Sequence, residues 1–241
     1  MNYQLTINNY QLTIDVVRKD IKNMHLAVYP PTGRLRIAVP ERVTDDAIRL
    51  FVVSKLGWIK RNQRNFLLQE RQTERQFIER ESHYFQGKRY LLNIVETDKK
   101  QQVVIKNKTY LQLEVKSNAT LETKARIMND WYRTELKKTV QPFIDKWVTQ
   151  IGVQLNDWQI KQMKTKWGTC NIEDKRIWIN LELAKKSVNC LEYIIVHELI
   201  HLIERHHNDR FLALMNYHLP NWKQLKKELN NQPVSHSEWT Y

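Results

Sequence analysis

Apolar and polar residues alternate near the start of the chain in a pattern that predicts short β-strands. Apolar side chains occupy every second position over residues 12–16 and again over residues 35–39. Because successive side chains of a strand point to opposite faces, this period places each apolar set on one face of a sheet. The segment 30–33, which contains two prolines and a glycine, predicts a turn between strands. We expect an antiparallel start to the chain.

The next segment carries apolar residues at helical spacing. Its predicted buried stripe is formed by Phe51, Val52, Leu56 and Ile59. Thr44 is a suitable N-cap for this helix, and the two aspartates that follow it complement the helix dipole. We expect the helix to continue into the low eighties.

Three strand-like segments and a second long helix follow. The strands are expected at residues 90–95, 103–105 and 110–115, separated by polar turns. The helix is indicated by an apolar stripe over residues 128–147. Pro142 lies inside this stripe, and we expect it to kink or restart the helix.

A β-hairpin is predicted before residue 190. Residues 159–170 and 176–181 can pair around the polar turn 171–175. The unpaired side of such a hairpin offers backbone N–H and C=O groups to which an extended peptide can add. The hairpin can also pack beneath the following helix with Trp167 and Trp178 in the core, and both interpretations can hold at once.

The most specific feature of the sequence is a His-Glu-x-x-His motif at residues 197–201, inside an apolar run. On a helix, residues four apart lie on one face, so the imidazoles of His197 and His201 can bind one ion. Glu198 lies about 100° around the helix from His197, where it can reach a water molecule on that ion. This arrangement is typical of zinc-dependent hydrolases, whose zinc has three protein ligands and one open position.

A third ligand must therefore follow, and spacing alone leaves its identity open. His207 lies ten residues after His197, as in an extended pattern whose glycine turns the chain back to the metal. Glu204 occupies the glycine position here. We therefore expect the helix to continue to about Arg205 and the turn to be made differently, with Asn208 as the cap of a following helix. The alternative third ligands are His206, Glu228 and Glu238.

Five segments around this motif together resemble the YgjP-like metallopeptidases. They are residues 164–170, 179–183, 191–202, 207–211 and 218–222. The family pattern reads roughly W-G-x-C, then V-V-H-E-L-x-H-L, then H-x-x-R-F, then H-L-P-x-W. The similarity is dense and collinear from Lys164 to Trp222, and looser similarity upstream, at residues 51–59 and 85–90, extends it over most of the chain.

The resemblance implies a zincin-like metallopeptidase core, in which the motif helix packs against a small sheet. It implies that His197, His201 and His207 are zinc ligands and that Glu198 is the catalytic base. It also implies a protein or peptide substrate. The family is related in its core to SprT-like proteases, some of which act on proteins bound to DNA, and this suggests nucleic-acid-associated substrates.

Other roles around the metal stay open at this point. Ligating histidines usually donate their second ring N–H to a carboxylate or carbonyl, and Glu204 and Asp209 are nearest in sequence. Tyr217, His218 and Arg210 have suitable chemistry to stabilise an oxyanion, but nothing in the sequence places their side chains.

The charge of the chain supports a second hypothesis. The formal net charge of +13 and the pI near 9.7 favour contact with polyanions such as nucleic acid. On the predicted first helix, Trp58 and Phe66 interleave with basic residues, and aromatic rings can stack on bases. The basic residues are Lys55, Lys60, Arg61, Arg64, Arg71 and Arg75. The alternative is a solvated helix face.

Composition indicates a soluble protein. No segment approaches the roughly 18–20 apolar residues that a membrane helix needs, and the polar start is unlike a signal peptide. Cys170 and Cys190 are too few for a disulfide scaffold and fit a reducing compartment, so we expect a cytoplasmic protein. They are expected to pack on a strand and at a helix start.

The sequence thus predicts an α+β fold with an N-terminal α+β region at 1–118, a zinc metallopeptidase core at 119–232 and a flexible tail at 233–241. The predicted function is hydrolysis of peptide bonds by a Zn²⁺-dependent metallopeptidase. Two alternative functions remain, a nucleic-acid-binding protein with a structural or vestigial zinc site and a zinc hydrolase that acts on a non-peptide amide.

Overall fold

The computed structural model describes residues 2–7, 10–29, 33–68, 75–163 and 166–231. These residues form an α+β fold, as predicted, and divide into two compact units, one before residue 69 and one from residue 75 onward. Each unit has its own buried apolar cluster. The domain limits predicted at residue 118 stay a prediction, and the predicted tail at 233–241 lies outside the described residues.

The first unit contains a four-stranded mixed sheet. Its strands are β1 (Asn2–Ile7), β2 (Tyr10–Lys19), β3 (His25–Tyr29) and β4 (Arg34–Pro40), in the order β1-β2-β4-β3. Strands β1 and β2 are antiparallel, and so are β3 and β4. The central strands β2 and β4 are parallel to each other. This is possible because β3, which lies between them in sequence, occupies the edge of the sheet and pairs antiparallel with β4. The predicted antiparallel start is therefore confirmed for the two hairpins only.

Two helices, α1 (Asp45–Ser54) and α2 (Leu56–Leu68), complete this unit. The Thr44 side chain accepts the backbone N–H of Ala47, so the predicted N-cap is confirmed. Val52 and Ile59 are fully buried in the apolar cluster of the unit, as the predicted stripe requires.

The prediction that this helix continues into the low eighties is wrong. Residues 75–78 have no regular structure, and a strand begins at Ser82. The Glu81 carboxylate accepts the backbone N–H groups of Gln76 and Phe77. A side chain that takes up backbone donors in this way replaces the hydrogen bonds that a helix would make.

The second unit begins with another four-stranded sheet. Its strands are β5 (Ser82–Phe85), β6 (Lys88–Glu96), β7 (Gln102–Lys106) and β8 (Tyr110–Val115), in the order β5-β6-β8-β7. The three predicted strands are confirmed as β6, β7 and β8. Strand β5 was not predicted, because the polar residue His83 takes one of its two buried positions beside Phe85.

Helix α3 (Leu121–Ile151) buries the predicted apolar stripe against this unit's core. The helix continues through Pro142, so the predicted restart is not observed. Pro142 and Lys138 are both exposed, and water can therefore satisfy the Lys138 carbonyl that lacks its usual donor. No helix among the described residues has the length and apolarity needed to cross a membrane.

A three-stranded sheet and the remaining helices build the C-terminal part. The strands are β9 (Asp157–Lys161), β10 (Gly168–Asn171) and β11 (Arg176–Asn180), in the order β10-β11-β9. Strands β10 and β11 form the predicted hairpin, whereas β9 is a separate strand parallel to β11. A short 3₁₀ helix (Leu181–Lys185) precedes α4 (Val188–Ile200), α5 (Asp209–His218) and α6 (Trp222–Asn231). Within the described sheet, β10 is an edge strand.

Helix α4 is the central element of the second unit. Nine of its thirteen residues are buried, and it packs against α3, α5, α6 and strands β10 and β11. This explains why its sequence is apolar on nearly all sides rather than along one stripe. The two free cysteines lie on β10 and near the start of α4, as predicted.

Candidate metal centre

Three histidine side chains meet at the C-terminal end of α4. The Nε2 atom of His197 lies 3.2 Å from Nε2 of His201 and 3.1 Å from Nε2 of His207. A pair of such nitrogens can share only one hydrogen. Hydrogen bonds among the three rings therefore cannot give every one of the three nitrogens a well-placed partner. A shared cation can, since nitrogens that bind one zinc ion tetrahedrally at about 2.0–2.1 Å lie roughly 3.3 Å apart. The donor set therefore fits a metal ion.

The turn that brings the third histidine back begins directly after α4. The helix ends at Ile200, so its predicted extension to Arg205 is wrong. The N–H groups of Leu202 and Ile203 bond to carbonyls three residues earlier, which tightens the chain into a turn. Because no residue in the described segment 201–208 has a positive φ, the turn needs no glycine at position 204.

The second ring nitrogen of His201 is also satisfied. Its Nδ1 lies 3.0 Å from the backbone carbonyl oxygen of Glu204, to which an Nδ1–H donates. This tautomer leaves the Nε2 lone pair of His201 directed at the other two rings. Of the two predicted partners, Glu204 makes this contact through its main chain, while Asp209 lies in the first turn of α5.

The structure separates the alternative third ligands. His207 joins the cluster, whereas His206 is exposed and lies outside it. The Glu228 carboxylate accepts a hydrogen bond from the Ser187 hydroxyl at 2.7 Å, at the opposite end of α4. Glu238 lies outside the described residues. The geometry therefore favours His207, whose role as a ligand stays a prediction.

Phe211 is a site residue whose role was not predicted. Its ring centroid lies 5.0 Å from that of His197, 4.8 Å from that of His201 and 4.7 Å from that of His207. The Asn208 side chain accepts the Phe211 N–H at 3.0 Å and caps α5, as predicted. Phe211 is buried and supports all three rings. In the sequence it was visible only as an apolar residue within the family-like segment 207–211.

Burial keeps the three histidines neutral. Burial, together with charge repulsion from His201, His207 and Lys226, lowers the pKa of His197 to about 3. Burial likewise lowers the pKa of His201 and of His207. Since metal ions bind the neutral imidazole, the cluster is ready to bind a metal at neutral pH.

Glu198 is buried against the edge strand β10. Only 5% of the residue is exposed, and burial raises its pKa to about 8, with Lys166 acting in the opposite direction. A Cβ atom on Gly168 would lie 2.6 Å from Oε1 of Glu198 and 2.7 Å from its Cγ. Only glycine at position 168 therefore permits this close approach of strand and carboxyl group.

Asn180 fixes the loop that leads into β10, and its role was also not predicted. Its Nδ2 donates to the carbonyls of Met163 and Lys166, at 2.8 and 2.7 Å. Its Oδ1 accepts the N–H groups of Met163 and Glu182. A buried side chain with four such bonds holds the backbone of Met163, Lys166 and Glu182 in place.

The cluster opens into a cavity of about 1280 Å³. Strand β10 and the residues before it line one part of this cavity, and α6 lines another. Tyr217, His218 and Arg210 are not among its described lining residues. Tyr217 is 80% exposed, and His218 packs edge-on against Trp147 at 6.4 Å. The structure thus gives none of the three a place at the histidines.

The predicted basic helix is only partly present as a single element. Lys60, Arg61 and Arg64 lie on α2, whereas Arg75 lies outside a helix, 3.8 Å from Glu81. Trp58 is 42% exposed, and the side chain of Phe66 and residues 69–74 lie outside the described part of the chain. Nucleic-acid binding stays a prediction.

The chain is similar to known metallopeptidases. The family model described as YgjP-like, metallopeptidase domain, matches residues 22–232. The metallopeptidase zymogen abylysin of Pyrococcus abyssi is 18% identical over 37% of this chain and 90% of that chain, with a TM-score of 0.35. The zymogen jannalysin of Methanocaldococcus jannaschii is 19% identical over 37% of this chain and 92% of that chain, with a TM-score of 0.34. A search of curated proteins found no match.

The Asn180 hydrogen bonds lead to a stability prediction. Asn180 is buried, and replacing it by Leu removes its hydrogen bonds to four backbone groups, so we expect a loss of about 2–4 kcal/mol in the free energy of unfolding. Urea denaturation followed by tryptophan fluorescence measures this loss. Asn156→Leu is the matched control, because Asn156 is exposed and its side chain donates one hydrogen bond, to the Asp174 carbonyl; it should cost less than about 1 kcal/mol. Equal losses in both variants would remove the special role of Asn180.

Proposed function

The chain belongs to the YgjP-like metallopeptidase family and is a metal-dependent protease, and on that premise we propose that zinc is its metal. In this proposal His197, His201 and His207 hold the ion, and Glu198 is the general base. The observation that carries the proposal is the convergence of three neutral imidazoles beside a buried carboxyl group in an open cavity.

The donor set favours a catalytic zinc ion over a structural one. Structural zinc sites are closed by four protein ligands, and catalytic sites have three with one position open. Among the described residues, three side chains reach the centre, and the cavity lies beside them. A bound zinc ion supplies Lewis acidity, which favours the loss of a proton from water and polarises a carbonyl group. This argument weighs against the alternative of a structural or vestigial site in a nucleic-acid-binding protein.

Glu198 supplies the proton transfers of the proposed reaction. Its carboxylate accepts the proton of the attacking water and later delivers that proton to the leaving amine nitrogen. Burial raises the pKa of this carboxyl group to about 8 and so favours its protonated form, whereas the charge of a bound zinc ion would favour the carboxylate that the reaction needs. Packing against Gly168 fixes the direction in which the carboxylate points.

We propose that the substrate binds as an extended peptide along β10. This strand pairs with β11 on one side only, so its other side offers backbone N–H and C=O groups within the described sheet. A peptide added there would be recognised mainly through its main chain. Because Gly168 of β10 lies against Glu198, such a peptide would pass beside the general base.

Two finer expectations rest on composition alone. The net charge of +13 motivates the proposal that some substrates are associated with nucleic acid. The two free cysteines motivate a cytoplasmic location.

The ligand set is tested by two neighbouring substitutions. His207→Ala removes one of the three converging nitrogens, so we expect the bound zinc to fall well below one ion per chain. His206→Ala leaves the cluster intact and should retain the zinc of the wild type. Elemental analysis of protein purified without chelator measures both. Loss of zinc in the His206 variant alone would overturn the assignment of His207.

The role of Glu198 is tested by Glu198→Gln. We expect zinc to be retained and peptide cleavage to fall by roughly 10²–10⁴-fold, because an amide cannot accept the proton of the attacking water. Cleavage of a quenched fluorescent peptide measures the rate. Glu122→Gln, an exposed position at the start of α3, is the matched control and should leave the rate unchanged. Unchanged cleavage in Glu198→Gln would remove this residue from the base role.

Gly168→Ala tests the close approach of β10 to Glu198. The added Cβ would collide with the Glu198 carboxyl group and displace it, so we expect kcat to fall by roughly 10–100-fold while zinc is retained. Gly57→Ala adds the same atom where nothing lies within 4 Å. This control should keep wild-type activity. An active Gly168→Ala enzyme would show that the carboxyl group has room to move without loss of function.

A further inference from the structure

The cavity beside the histidines is lined by more basic than acidic side chains. Besides Glu198, its described lining contains three basic side chains and one acidic side chain. The bases are Lys166, Arg205 and Lys226, and the acid is Glu173. All four are exposed, so their charges are available to a ligand in the cavity.

Lys166 lines the cavity two residues before Gly168, which lies against Glu198. Its own carbonyl accepts the Asn180 side chain at 2.7 Å, and the carbonyl of Trp167 accepts the Asn180 backbone N–H at 2.9 Å. The Lys186 ammonium lies 5.5 Å from the Trp167 ring centroid. The backbone carbonyls of Lys166 and Trp167 are thus both held by Asn180, the last residue of β11. The exposed side chain of Lys166 lines the cavity together with Glu198.

Lys226 approaches the centre from a different element. It lies on α6, with its Nζ 5.9 Å from the ring centroid of Trp222. Trp222 stacks on Tyr193 at 6.5 Å, and the ring of Tyr193 lies 5.9 Å from that of His197. Lys226 lines the cavity together with His197 and His207. One lysine therefore stands beside the base, and another beside the histidines.

We propose that this site selects acidic polypeptide segments, with Asp or Glu on both sides of the scissile bond. The inference rests on the proposed peptidase function. A peptide that passes Glu198 and the histidines comes within reach of Lys166 and of Lys226, so carboxylates on either side of its reacting bond gain attraction. Main-chain pairing with β10 would supply affinity without sequence preference, and the lysines would supply the preference for charge.

The size of the effect follows from exposed ion pairs. Each such pair changes an equilibrium by roughly two- to fivefold, and salt screens it over a distance of about 8 Å at physiological ionic strength. Charge reversal of one lysine replaces attraction by repulsion for an acidic peptide and does the opposite for a basic one. The ratio of kcat/KM between the two peptides should therefore change by at least about tenfold.

The test uses zinc-loaded full-length protein and three peptides of one sequence. They carry Glu, Gln or Lys at the positions that flank a single cleavable bond. We expect kcat/KM to fall in the order Glu, Gln, Lys, with the difference mainly in KM and smaller at high salt. In Lys166→Glu and in Lys226→Glu the ratio between the Glu and Lys peptides should shift toward the Lys peptide.

Lys227→Glu is the matched control. It makes the same change of charge on the same helix, but Lys227 is not among the residues that line the cavity. We expect it to keep the wild-type preference. Equal cleavage of the three peptides by the wild type, or an equal shift in Lys227→Glu, overturns the inference and leaves the peptidase function intact.

Binding separates this inference from the proposed function. If no peptide is cleaved, the proposed function fails, and fluorescence anisotropy of the labelled Glu and Gln peptides on zinc-loaded Glu198→Gln still tests the charge preference. The inference is supported if Glu198→Gln binds the Glu peptide more tightly than the Gln peptide and the double variant Glu198→Gln/Lys226→Glu binds the two equally. Equal binding of the two peptides overturns it.

Discussion

The second unit depends on one constraint, the close approach of three imidazole nitrogens. Nε2 of His197 lies 3.2 Å from Nε2 of His201 and 3.1 Å from Nε2 of His207. Such an arrangement is stable only if each ring is neutral, is held from behind and directs a lone pair at one point. Helix α4 holds two rings in its buried frame, the tight turn after Ile200 returns the third, and Phe211 fills the space that the three rings share. The apolar character of α4 is therefore a requirement of the polar cluster at its end.

The sheet side of the centre shows the same dependence on position. Glu198 can lie against a strand only because position 168 has no side chain, and that strand keeps its place because Asn180 holds the loop before it. Gly168 acts by leaving room for the carboxyl group, and Asn180 acts through the main chain of the residues that it holds. The chemistry of the site thus depends on backbone contacts that cannot be predicted from residue type alone.

Much of this arrangement could be predicted where the cause is local. The spacing of His197 and His201 follows from the period of a helix, and strands β6 to β8 follow from alternation of apolar residues. The extension of α4 to Arg205 was wrong because a tight turn uses the same residue types and the same sign of φ as the helix. Contacts between distant elements were missed for a different reason. The roles of Phe211 and Asn180, and the Glu81 bonds that replace a helix, depend on partners that only the folded chain brings together.

The two buried apolar clusters share no residue, since one contains residues 12 to 59 and the other residues 77 to 229. A chain with two cores need not unfold in one step, so a single melting temperature does not define its stability. Zinc held by the histidines would stabilise only the unit that binds it, by an amount that grows with the logarithm of the free metal concentration. In a calorimetric scan, added zinc would then raise the melting temperature of the second unit and leave that of the first unit unchanged. The shift would therefore identify which residues unfold together.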